Sequence, residues 1–365
     1  VGYDGRGTLA VAAGGRVESA IGFVGDGSGS TGAVTVSGAD SVWANSGNLN
    51  VGLEGSGTLA IADRGRVENI QGYIGHSSGS TGAVTVSGAG SIWANSDHLY
   101  VGDSGNGSLT AADGGAVSAQ SMTLAISSTS TGTINIGSAV GNPAAAAGTL
   151  AAPVIQFGDG SVTLNFNHSG ATTFTASLAS TGAGTHALNH YAGVTTLTGD
   201  SSAFTGTTTV DGGTLAIVSA GKLGGSFGYV GDAAGSNGAV TVLGTGSTWA
   251  SSRNLYVGYS GSGTLTVADG GRVENTVGYI GRFSGSTGAA TVSGAGSIWA
   301  SSGNLNVGYE GSGTLTVADG GRVENTVGHI GRFPGSTGAA TVSSAGSIWA
   351  SSGNLNVGYE GSGTL

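Results

Sequence analysis

Short runs that alternate apolar and polar residues recur along the chain. Leu265-Thr266-Val267, Arg272-Val273-Glu274 and Leu305-Asn306-Val307 are examples, each bounded by glycine-rich segments. Alternation at period two predicts half-buried strands, and the flanking glycines predict tight turns. No stretch places apolar residues at helical spacing, and helices this rich in glycine would be costly. The runs themselves repeat. Trp43, Trp93, Trp249, Trp299 and Trp349 mark a 50-residue unit, and segments 257–306 and 307–356 differ at four positions: Ser260 against Glu310, Tyr279 against His329, Ser284 against Pro334 and Gly294 against Ser344. Each unit holds two related halves, which align Val257 with Ile280, Leu265 with Ala290, Val267 with Val292 and Val273 with Ile298. A period of ~25 residues with three short strands predicts an all-β parallel β-helix, a three-strand solenoid of about 15 turns. Its inward columns are expected to run Leu9, Val34, Leu59, Val84, Leu109 and Val11, Val36, Ile61, Val86, with threonines such as Thr266, Thr291, Thr316 and Thr341 facing outward.

Composition narrows the function classes. Glycine supplies 76 of 365 residues, charged residues 8%, proline 3 and cysteine none. A solvated disordered chain would carry more charge and proline, and collagen would need glycine at every third position. Without cysteine there is no disulfide framework, thiol nucleophile or thiolate metal site. The formal net charge is -10 and Lys222 is the only lysine, so no basic stripe exists to neutralise nucleic-acid phosphates. No apolar run is long enough for a membrane-spanning helix. The solenoid is also obligatory as an array. One turn buries only a few aliphatic side chains at ~1.5–3 kcal/mol each, against about 1–2 kcal/mol of backbone entropy for every residue it orders.

The array reads as repeats over 1–117, an insert over 118–225 that breaks the 50-residue pattern, and repeats again over 226–365. Within the insert, Thr133–Ile136, Ser161–Phe166 and Thr207–Val210 still read as strands, and Gly141–Gly148 as a protruding loop. The segment Thr195–Ile217, at the start of 195–225, resembles the passenger-associated transport repeat of bacterial autotransporters. The 50-residue units resemble the glycine-rich arrays of autotransporter adhesins from Gram-negative bacteria. That resemblance implies a right-handed β-helix passenger of type V secretion, displayed at the bacterial surface and outer membrane or secreted. It also implies a C-terminal outer-membrane β-barrel in the same polypeptide. Val1-Gly2-Tyr3 and Val357-Gly358-Tyr359 share one phase of the repeat, which predicts a piece of a longer array.

Candidate chemistry is sparse, with no catalytic, cofactor or metal residues assigned. Gly102-Asp103-Ser104-Gly105 resembles the serine-nucleophile motif of trypsin-like proteases, with His76 and His98 as candidate bases. In the repeat frame, however, it aligns with Gly2–Gly5 and Gly52–Gly55 and reads as a turn variant. Asp26, Asp113, Asp232, Asp269 and Asp319 sit singly in turns, where aspartate is expected without a metal. Gly221-Lys222-Leu223 lacks the rest of a phosphate loop. The strongest candidate is an outward row of Trp43, Trp93, Trp249, Trp299 and Trp349, expected about 10 Å apart by strand spacing and able to contact a ligand. Arg16/Glu18, Arg66/Glu68, Arg272/Glu274 and Arg322/Glu324 are read as solvated same-face pairs. The leading expectation is a non-catalytic adhesive stalk in bacterial attachment, meeting a host-cell or matrix glycan or protein, with self-association as a further expectation and no nucleic-acid partner. The alternatives are a passive spacer and a β-helical polysaccharide-acting enzyme, for which Asp159, Asp200 and His168 would have to converge.

Overall fold

The computed structural model describes all 365 residues and contains strands and turns but no helix. The strands gather into two compact units, Val1–Ala171 with Thr175–Ala187, and Thr172–Phe174 with Leu188–Leu365. This division falls inside the segment 118–225.

Each unit is a right-handed parallel β-solenoid. A turn of the first unit contributes a long strand such as Thr31–Ser37 to a first sheet, Val42–Asn45 to a second and Leu49–Val51 to a third. Every such strand pairs parallel with its counterpart in the next turn. The pairs Leu9↔Val34↔Leu59↔Val84↔Leu109 and Val11↔Val36↔Ile61↔Val86 form the expected inward columns. The third sheet of this unit stacks seven strands, from Gly22–Val24 to Ser177–Ser180. In the second unit the second sheet likewise stacks seven, from Asp200–Ser201 to Ile348–Ser351. Thr266, Thr291, Thr316 and Thr341 align as one outward ladder.

Two corners show why the turns are written as they are. Between first and second strands, Asp63, Asp113, Asp269 and Asp319 adopt φ near +51° to +55°, a left-handed conformation that aspartate tolerates. After the third strand, Gly52 sits at φ +77°, and a Cβ there would lie 2.2 Å from the Thr81 carbonyl oxygen of the neighbouring turn. Glycine alone fits a site with both constraints.

The core explains the 50-residue period. In the second sheet the inward column alternates Val17↔Trp43↔Val67↔Trp93↔Val117. In the third it alternates Gly22↔Leu49↔Gly72↔Leu99. The second unit repeats this as Trp249↔Val273↔Trp299↔Val323↔Trp349 beside Gly228↔Leu255↔Gly278↔Leu305↔Gly328. Each indole leans over the glycine of the preceding turn. A Cβ on Gly72 would lie 2.9 Å from Trp93 Cζ2, and one on Gly228 would lie 2.6 Å from Trp249 Cζ2. Large and small turns therefore alternate, and the repeat is two turns because close packing needs the pair. Past Val117, where no tryptophan follows, the glycine column is filled by Met122 and Ile155.

This packing corrects the expected orientation of the tryptophans. Trp43, Trp93, Trp249 and Trp299 are at most 3% exposed, and Trp349, in the last rung, is half-buried. Val273 pairs with Trp299, and Ile298 pairs with Arg272 on the outer side. A one-residue slip exchanges the two faces of a strand. The offset between paired residues grows from 25 at Leu265↔Ala290 to 26 at Val273↔Trp299 and 27 at Gly278↔Leu305. The two corners that flank the tryptophan strand thus hold one extra residue each, and the corner after the third strand holds two fewer. The insert keeps its strands at Thr131–Gly137, Ser161–Phe174 and Thr207–Val210. Of the expected loop, Gly141–Ala144 is exposed, while Ala145–Ala146 pairs with His168–Ser169.

Candidate functional site: the outward faces

The tryptophan row is core, and its polar edges are met internally. The indole N–H of Trp93 donates to Asn69 Oδ1 at 2.7 Å, and those of Trp299 and Trp349 donate to Asn275 and Asn325 at 2.6 Å each. Trp43 donates to Ser19 Oγ at 3.3 Å. The position 24 residues before Trp249 is Gly225, and there the buried N–H has no acceptor. No tryptophan stripe faces a ligand.

The protease-like motif is a turn. His76 Nδ1 lies 3.0 Å from Asp103 Oδ2, out of hydrogen-bond alignment, and burial pushes the Asp103 carboxyl up, partly opposed by His76. Ser104 turns its hydroxyl to Ser127 Oγ at 3.0 Å, so this imidazole has no serine to activate. His98 Nδ1 pairs instead with Asp97 at 2.6 Å. No group of three or more His, Asp or Glu side chains converges as a metal site. The residues of the enzyme alternative have separate local partners. Asp159 Oδ1 accepts from the Ala183 amide at 3.0 Å, and His168 is fully buried. Asp200 binds Lys222 Nζ at 2.7 Å, which holds its carboxyl down at about 2.

The second outward face is regular. Arg16·Glu18, Arg66·Glu68, Arg272·Glu274 and Arg322·Glu324 form ion pairs within single strands, with side chains 39–68% exposed. At that exposure each contributes about 0–1 kcal/mol.

The third outward face carries the aromatic residues that can meet solvent. Nine of the ten tyrosines, all but Tyr191, lie in third strands or the corner that follows. Tyr229, Tyr256 and Tyr279 are register neighbours stacked at 5.0 Å with interplanar angles of 12–13°. In the first unit Tyr73 stacks on Tyr100 at 4.8 Å. Burial among its neighbours, chiefly, pushes the Tyr229 hydroxyl up to about 12. At the corner of the second unit, Tyr259 meets Phe283 edge-on at 4.8 Å and Tyr309 meets Phe333 at 4.7 Å. The Arg282 guanidinium lies 4.4 Å from the Phe283 ring centre and 4.1 Å from that of Tyr309, close enough for cation–π attraction. It also pairs with Glu310 at 3.0 Å. Arg332 approaches the same Tyr309 ring at 5.0 Å and donates to Asn306 Oδ1 at 2.9 Å.

No protein-family model and no curated protein matches the chain. Among solved structures, the chain is similar to the crystal structure of a TibC-catalyzed hyper-glycosylated TibA55-350 fragment, at 15% identity and a TM-score of 0.36, covering 96% of this chain and 100% of that one. The fold assignment rests on the strand ladders.

The third-face cluster escaped the sequence reading because its members are spaced unevenly. Tyr229, Tyr256 and Tyr279 lie 27 and 23 residues apart, which a uniform 25-residue frame does not bring together. The usable signal was the bias of tyrosine to positions beside the Val-Gly and Ile-Gly corners.

Proposed function

We propose that the chain is a non-catalytic, adhesive segment of an autotransporter-type passenger, displayed at the bacterial surface or secreted, that presents a repeated side face to a target on host cells or matrix. The observation that carries this reading is the two-turn core. Its tryptophan, glycine and asparagine positions are used up in stacking, and its charges recur at repeat positions as local pairs instead of meeting in a cleft. The resemblance of 195–225 to a transport repeat supports export, and it brings with it the expectation of an outer-membrane β-barrel in the same polypeptide. No helix of the chain is long and apolar enough to cross a membrane.

The test is attachment of bacteria that display the whole protein, compared with the same protein lacking this segment in frame. Loss of attachment to host cells or matrix, at equal surface display, is the expected result. Undiminished attachment would reduce the segment to a passive spacer.

A further inference from the structure

The last two repeats differ from one another mainly in one place. Of the four positions at which segments 257–306 and 307–356 differ, three involve the third strand or its following corner: Ser260/Glu310, Tyr279/His329 and Ser284/Pro334. The first two repeats differ there too, at Tyr3/Leu53, Phe23/Tyr73, Asp26/His76 and Asn50/Tyr100, and also at their other corners, as at Ala13/Asp63, Ile21/Gln71 and Gly47/Asp97. In the second unit, a constant frame whose few differences gather on one face is the layout of a recognition surface on a rigid scaffold.

The chemistry of that face in the second unit narrows the ligand. The stacked faces of Tyr229, Tyr256 and Tyr279 cover one another, and the three side chains are half-buried. The corner adds half-buried Tyr259, Phe283, Tyr309 and Phe333. Charges along the corner alternate in sign through Asp232, Arg282, Glu310, Arg332 and Glu360, so no polyanion or polycation is favoured. What remains is a dense mixture of hydrogen-bond donors, acceptors and aromatic edges, suited to neutral hydroxyl-rich chains. The corner pairs Tyr259/Phe283 and Tyr309/Phe333 recur two turns apart, about 10 Å at ~4.8 Å per strand spacing, close to one disaccharide of an extended β-1,4-linked polymer.

We propose that the third outward face of the second unit binds a neutral, linear β-1,4-linked polysaccharide lying along the solenoid axis, one disaccharide to two turns. The proposal rests on the adhesive reading and names its partner class.

The full chain is run through native gels containing hydroxyethylcellulose, and sedimented with insoluble cellulose and chitin. Amylose serves as the α-1,4 contrast and polygalacturonate as the anionic one. Retardation or sedimentation with the β-1,4 polymers is expected, absent with amylose and weaker with polygalacturonate. Tyr309→Ala combined with Phe333→Ala is expected to weaken it about tenfold, which corresponds to ~1.4 kcal/mol of lost contact. Arg272→Ala combined with Glu274→Ala, on the second face, is expected to leave it unchanged, and melting curves verify that both variants fold. No binding to any β-1,4 polymer overturns the proposal, as does binding indifferent to the Tyr309/Phe333 variant or strongest to polygalacturonate. If attachment depends on the segment and on Tyr309 and Phe333 while no polymer binds, a protein partner occupies this face: the adhesive reading stands and the polysaccharide falls.

Discussion

Trp93 is less than 1% exposed, its indole held by Asn69 and laid over Gly72. Removing such a ring leaves a large cavity, at about 3–5 kcal/mol, so these tryptophans are retained for packing. The acceptor matters as well as the cavity. Trp249 is buried like the others, yet the position that serves the other indoles is Gly225 here, and its N–H finds no partner. A buried donor left unmade costs about 1–3 kcal/mol. Gly225→Ser places a hydroxyl where Ser19 serves Trp43, at a site whose φ is not left-handed and whose nearest obstacle to a Cβ is the Gly206 carbonyl oxygen at 3.0 Å. The substitution is expected to raise stability by about 0.5–1.5 kcal/mol, the net worth of one hydrogen bond. Urea unfolding checks it, and a lower midpoint with unchanged slope would contradict the missing-acceptor account.

At the level of strands, the third strand Gly328–Ile330 carries His329 where the preceding repeat has Tyr279. Burial, and then the Arg332 charge, hold the His329 imidazole below its usual value, and Asn356 Nδ2 donates to its Nδ1. With a folded-state value below the unfolded ~6.5, the unfolded chain binds the proton more tightly. The contribution is therefore fully present above about pH 6.5 and is lost as pH falls from there through the lowered folded value. Thermal unfolding at pH 7.5 and pH 5 is expected to show a drop that His329→Tyr diminishes; an equal drop in both proteins would contradict it. The same strands show what was legible in the residues. Period-two alternation in Leu265–Val267 and the glycine punctuation named the solenoid and its first-sheet columns, because burial of alternate residues writes itself directly into sequence. The orientation of the second strand was not legible from spacing alone. One extra residue in Ser293–Ser297 shifts Ile298 outward and Trp299 inward, and no local pattern separates an outward, half-buried isoleucine beside a buried tryptophan from the reverse. The third-face cluster was hidden for the same reason, since it forms only when turns of 23 and 27 residues are laid in register.

For the whole molecule, the consequence is a length quantum. Within each unit the corner glycines recur at alternating intervals, 27 residues from Gly231 to Gly258 and 23 from Gly258 to Gly281, and the long turn carries the tryptophan. Adding or removing 50 residues preserves the alternation of Trp over Gly, and with it the two-turn pitch of the third face. Removing one turn brings like against like. A pair of deletions tests this most directly. Deleting residues 281–330 joins Ile280 to Gly331 and keeps a tryptophan turn next to a glycine turn. Deleting residues 281–307 joins Ile280 to Gly308 and stacks Gly278 on Gly328 and Val273 on Val323, where an indole and a leucine had filled the space. Thermal unfolding of the two proteins is expected to show a single cooperative transition near the parent midpoint for the longer deletion. The shorter deletion should lose about 3–5 kcal/mol, the range for emptying an aromatic site. Equal stability of the two, or greater stability of the one-turn deletion, would contradict the two-turn unit on which the scaffold depends.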